Sequence, residues 1–143
     1  MKPSHGCTVY RVGSNIYVLG QTKTLEGPGL MFVPWILLSE GLDPAVIGEA
    51  TLLASRGVPA LVAFSDGKSD KDLLRFLGAR SWKSFASTAQ SVDVLLSDNE
   101  AKIVPYVVGE KYAFYPQHDR SVTLELDPRQ LGERVLAMLR AEE

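Results

Sequence analysis

The feature that most limits what this chain can become is a helix start written twice. Leu42-Asp43-Pro44-Ala45-Val46-Ile47-Gly48-Glu49 returns as Leu126-Asp127-Pro128-Arg129-Gln130-Leu131-Gly132-Glu133, and six of the eight positions agree in type. In each copy the aspartate is placed to accept backbone N–H bonds as an N-cap, and the proline falls at the first helical position, where its missing donor costs nothing. Each helix then carries a glycine at the same turn. A helical glycine costs about 1 kcal/mol relative to alanine, so both positions call for a reason, and close packing of each helix on a sheet would supply one. Upstream, Tyr10-Arg11-Val12-Gly13 and Gln21 echo Tyr106-Val107-Val108-Gly109 and Gln117 at a different offset. Two readings stand: an internal hairpin-and-helix duplication with a loop insertion in the first half, or a good helix cap used twice independently.

The rest of the chain divides into strand-like and helix-like stretches. Cys7–Val12 and Ile16–Leu19 are β-branched and aromatic runs around the turn residues Gly13-Ser14-Asn15, which predicts a β-hairpin. The apolar run Gly29–Leu38 fits a buried strand or a short helix, and its periodicity does not choose. The first Asp-Pro helix is expected to end near Arg56, before Gly57 and Pro59, with Ala60–Phe64 extended after it. A capping box at Ser69–Asp72 precedes Leu73, Phe76 and Leu77 at helical spacing, and Ser81 caps a second short helix. Its Trp82, Phe85, Ala86 and Ala89 share one face, which reads as core. From Ser91 the pattern becomes an antiparallel meander, with Pro105 and Pro116 marking an edge, a bulge or a strand end. In the last helix Leu131, Val135, Met138 and Leu139 form the apolar stripe. Together these predict one α+β domain over residues 1–143, an antiparallel or mixed sheet packed with about four helices.

Composition narrows the function classes. Lys+Arg 15 against Asp+Glu 17 gives a net charge of −2 and a pI of about 5.7, which disfavours direct nucleic-acid binding. With 45% hydrophobic residues the chain can bury a real core. The single Cys7 cannot form an intrachain disulfide, and MKPSHG has no apolar stretch of signal-peptide type, so a reducing cytoplasm is expected. No run approaches the ~20 apolar residues of a membrane span.

Searching for chemistry yields little. Gly67-Lys68-Ser69 imitates the end of a phosphate-binding loop, but Val62 stands where the motif needs its first glycine. His5 and His118 are the only histidines, and with one cysteine they make no zinc cluster. No metal, cofactor or catalytic residue is expected. The rival reading is a small enzyme or ligand-binding domain with a sheet–helix pocket near His118. Another places a homo-oligomer interface on Leu30–Leu38.

Three segments carry a resemblance. Leu77-Gly78-Ala79-Arg80-Ser81-Trp82-Lys83-Ser84-Phe85, followed by a strand and Ile103-Val104-Pro105, resembles the central segment of the CdiI type of contact-dependent growth inhibition immunity proteins. Leu131-Gly132-Glu133-Arg134-Val135-Leu136 resembles that family's C-terminal helix, and Ile47–Leu52 with Ser55-Arg56 its earlier copy. The resemblance implies a cytoplasmic, non-catalytic protein, monomeric or weakly dimeric. Its partner would be the C-terminal toxin domain of a CdiA effector, a nuclease in many cases. Trp82, Gly48 and Gly132 then become scaffold residues. Local acidity and loop character nominate Glu26, Asp66, Asp70, Asp72, Asp98 and Glu100 as residues facing the toxin in place of nucleic-acid phosphates.

Overall fold

Gly13 adopts φ +60, a conformation open to glycine without steric cost, and so turns the chain between β1 (His5–Val12) and β2 (Asn15–Thr22), which pair antiparallel from Val12↔Asn15 outward. The structure is a computed structural model that describes residues 5–22, 30–39, 41–56, 73–97 and 99–140. The undecided apolar run is a strand, β3 (Leu30–Ser39), paired with β2 at the end of the sheet path. Its register runs from Phe32↔Gly20 to Trp35↔Leu19, leaving Val33 and Pro34 as extra residues in a bulge. A proline is tolerated there because the bulge demands no ladder N–H from it.

The other half repeats the plan. β4 (Gln90–Leu96) and β5 (Glu100–Val108) form a hairpin closed by Ser97 N–H donating to the Glu100 carbonyl at 2.9 Å. β5 runs unbroken through Pro105. β6 (Phe114–Pro116) and β7 (Val122–Glu125) both pair with the outer edge of β5, at Tyr106–Val108 and Glu100–Ile103 respectively. This corrects the simple meander. Pro105 sits between those two partners, where no N–H is needed, and its carbonyl accepts from Gln117 N–H at 2.8 Å.

The seven strands form one antiparallel sheet with β1 and β4 at its centre, Thr8 opposite Asp93. On each side of that pair lies a hairpin partner, β2 or β5. Beyond it lies a third strand, β3 or β7, from which a Leu-Asp-Pro sequence leads into a helix: α1 (Pro44–Arg56) or α3 (Pro128–Arg140). The halves are therefore related by a pseudo-two-fold axis through the central strand pair. The upstream echo does not follow it, because Tyr10 lies in β1 and Tyr106 in β5, which are not equivalent strands.

Both caps act as expected: Asp43 Oδ1 accepts from Ala45 N–H at 2.9 Å and Asp127 Oδ2 from Gln130 N–H at 3.0 Å. The helical glycines are needed for another reason than packing on the sheet. A β-carbon on Gly48 would overlap the Pro128 carbonyl, and one on Gly132 the Pro44 carbonyl, so the first turns of the two helices pack against each other backbone to backbone. Arg129 extends across the same crossing to the Asp43 carboxylate at 3.3 Å.

Alternation along the strands builds two cores. One face places Cys7, Val9, Ile16, Val18, Val92, Val94, Ala101 and Ile103 against α1 and α3, burying Ile47, Leu52, Leu131, Val135 and Leu139. The other places Tyr10, Tyr17 and Leu19 against Leu77 and the short helix α2 (Trp82–Ala86). α2 has the expected cap: Ser81 Oγ accepts from Ser84 N–H at 3.2 Å, and Ser81 N–H donates to Ser84 Oγ at 3.3 Å. A helical turn at 73–76 precedes it, so the described residues hold the four helices of an α+β domain. The extended reading of 60–64 and the cap at Ser69–Asp72 lie outside them. Among the described residues no helix is long and apolar enough to cross a membrane.

Candidate functional surface

Of the six acidic residues nominated from sequence, only Glu100 lies in the described part; Glu26, Asp66, Asp70, Asp72 and Asp98 fall outside it. Glu100 opens β5, is exposed, and stands directly across from the exposed Glu125 of β7. Like charges directly opposite each other on an antiparallel ladder repel, and a cationic group brought against them would relieve the repulsion. Glu125 carries no turn or loop signal in the sequence; only the β5–β7 register brings it to Glu100.

A second polar group lies within the sheet. Asp93 is buried in β4, and Thr8 Oγ1 donates to its Oδ1 at 2.9 Å. Burial and then the Asp93 charge raise the Tyr106 hydroxyl well above the usual phenol range, with the hydrogen bond to Asp93 acting the same way. Tyr10 is raised by burial first, then by Asp93 and by Tyr106. Both phenols thus remain protonated hydroxyls at neutral pH. Cys7, on the opposite face, is pushed up to about 12, first by burial and further by the Asp93 charge; a fully buried thiol of that kind is inert.

His118 lies exposed in a 3₁₀ turn, His118–Arg120, where its carbonyl accepts from Ser121 Oγ at 2.8 Å. A surface depression at α3 is lined by Leu124, Gln130, Glu133, Arg134 and Ala137, and His118 is not among them.

The tip of the β5–β6 hairpin has an unusual backbone. Lys111 and Tyr112 stand consecutively at φ 57 and 58, a region that non-glycine residues seldom occupy. Trp82 Nε1–H donates to the Tyr112 carbonyl at 2.9 Å, and Lys83 Nζ lies 5.5 Å from the centre of the Tyr112 ring. Trp82 is itself held at 5.3 Å from Phe85 and 5.7 Å from Phe114. Sequence placed Trp82 on a core stripe; the structure keeps it there, half-buried, and adds the bond to the hairpin.

Together, the two-fold arrangement of strands and helices and the second-face aromatic layer define the class, an α+β fold with one antiparallel sheet. Solved structures share it. A protein of unknown function from Neisseria meningitidis, NMB0488, matches with TM-score 0.73 at 16% identity over 97% of this chain and 94% of that one. A chain of a CdiA-CT/CdiI toxin and immunity complex from Yersinia pseudotuberculosis matches with TM-score 0.71 at 16% identity over 97% and 96%. At this identity the likeness establishes the fold. No protein-family model matches the sequence, and no curated protein matches it.

Proposed function

We propose that this chain is an immunity protein that binds and neutralises the C-terminal toxin domain of a CdiA-type effector, acting by stoichiometric binding rather than by turnover. The observation that carries the reading is the fold: nearly the whole chain superposes on nearly the whole of a chain from a toxin and immunity complex. The three sequence segments that resemble CdiI proteins agree with it, and they map onto α1, α2 and α3, the elements that cover the two faces of the sheet. Inhibition by binding asks for a rigid scaffold and a complementary surface, with opposed charges raising the on-rate and desolvated anchors slowing release. For a toxin of the nuclease class, Glu100 with Glu125 supplies a first element of acidic complementarity, and Glu26, Asp66, Asp70, Asp72 and Asp98 are the further proposed contacts.

The test is titration of the toxin domain encoded immediately upstream with the purified chain, reading toxin activity against molar ratio. Activity lost at one equivalent supports the reading. Full activity with the chain in excess at micromolar concentration overturns it. Charge reversal at Glu100 and Glu125 is expected to slow association and flatten its salt dependence; unchanged kinetics would remove these two residues from the interface.

A further inference from the structure

The hairpin tip is built more rigidly than a connection needs to be. Two residues cross between Val12 and Asn15 with one glycine at positive φ, whereas the β5–β6 crossing holds a lysine and a tyrosine in left-handed conformations. Such strain persists only where the surroundings over-determine it, and it gathers at functional positions. Here the surroundings are visible on both sides. Trp82 and Lys83 hold Tyr112 from one side. On the other, the Tyr115 ring lies so close over Gly109 that a β-carbon there would overlap it. Ala113 N–H donates to the Glu110 carbonyl at 3.2 Å, and Gly109 N–H to the Ala113 carbonyl at 2.9 Å, closing the loop internally.

What this frame displays is apolar and basic. Tyr112 is 36% exposed, Tyr115 48% and its cross-strand partner Val107 40%, and the exposed Lys83 and Lys111 outnumber Glu110. Tyrosine offers a large contact area with few rotamers to freeze, and a backbone already fixed in place loses little entropy on binding. Glu100 and Glu125 lie at the opposite end of β5, about 26 Å away at 3.3 Å per residue, so the tip is a separate contact.

We propose that the toxin domain straddles the β5–β6 tip, anchored by Tyr112 beside Lys83 on the α2 face and by Tyr115 beside Val107 on the opposite face, with Lys111 at the turn, and that it meets them with carboxylates beside apolar side chains. This rests on the immunity reading. Trp82 is its positioning residue, acting through the Tyr112 carbonyl.

The experiment measures the affinity and kinetics of the full chain for the upstream-encoded toxin domain. Tyr112→Ala and Tyr115→Ala are each expected to weaken binding about tenfold or more, chiefly through faster release. Lys83→Glu with Lys111→Glu is expected to slow association at low salt. Trp82→Phe keeps an aromatic ring in the layer but removes the donor; its thermal midpoint should stay near wild type while release accelerates. Leu53→Ala, exposed on α1, is the control and should leave affinity unchanged. Wild-type binding with both tyrosine variants unaltered overturns the docking surface while leaving the immunity reading intact. Equal weakening by Leu53→Ala also overturns it. Absence of wild-type binding ends the immunity reading, and this inference with it.

Discussion

Cys7 and Asp93 show how strongly burial sets the behaviour of single residues in this sheet. The Cys7 thiol is held protonated up to about pH 12, whereas in an unfolded chain a thiol titrates near 8.5. Between those values the unfolded state binds fewer protons than the native state, so stability is complete below about pH 8.5 and falls as pH rises toward 12. Tyr10 and Tyr106, also raised, add to the fall above the ordinary phenol range. Thermal midpoints over pH 8–12 should therefore drop more steeply for wild type than for Cys7→Ala, and parallel slopes would contradict the assignment. Native Cys7 should react with a thiol reagent only as fast as the protein unfolds. Asp93 differs in kind: its carboxylate accepts from the Thr8 hydroxyl and lies beside Tyr106, and removing it leaves the buried Thr8 hydroxyl without its acceptor. Asp93→Ala should cost about 3 kcal/mol in chemical denaturation; a loss below about 1 kcal/mol would mean that this donor finds another partner.

At the scale of elements, the decisive contact is the crossing of α1 and α3. Alanine is a better helix former than glycine by about 1 kcal/mol, so on propensity alone Gly48→Ala or Gly132→Ala would stabilise. The geometry reverses the sign, because the new β-carbon meets backbone carbonyls that cannot rotate away and the helices must separate. A net loss of about 2–3 kcal/mol is expected for either variant, measured by urea denaturation; a gain would show that the helices are free to shift. Both helix starts are legible in sequence because Asp-Pro is a local signal with a local cause. The partner of the glycines is not, since Gly48 and Pro128 lie 80 positions apart and Pro44 and Gly132 88, and only the two-fold arrangement joins them. β3 stayed ambiguous because a strand with a two-residue bulge at Val33-Pro34 breaks its own alternation. The left-handed Lys111-Tyr112 pair leaves no trace in sequence either, since the usual signal is glycine or asparagine and tertiary contacts with Trp82 impose it. Of the nominated surface only the Glu100 position is described, and its neighbour Glu125 depends on strand register.

For the whole molecule the question is whether two pseudo-equivalent halves make one folding unit. The central ladder of the sheet, β1 with β4, joins them, and so does the glycine crossing above it. Neither half can bury its helix or complete its sheet centre without the other, which argues for a single cooperative transition. The second face adds a further layer, with Trp82, Phe85 and Leu77 packed on Tyr10 and Tyr17 from strands of the first half. Leu139 lies on the other face, fully buried between α3 and the sheet. Leu139→Ala should cost about 3 kcal/mol through lost burial and a residual cavity. If the sheet couples its two faces, that loss must appear equally in far-UV circular dichroism, which follows the helices and strands together, and in the fluorescence of a Trp35→Phe background, where Trp82 alone reports from the opposite side. Coincident midpoints, shifted together by the substitution, are the expected result. A fluorescence transition that keeps the background's midpoint while the dichroism midpoint falls would show that the aromatic layer holds the hairpin tip independently of the helical core, so that destabilising one face would leave the contacts of the other in place.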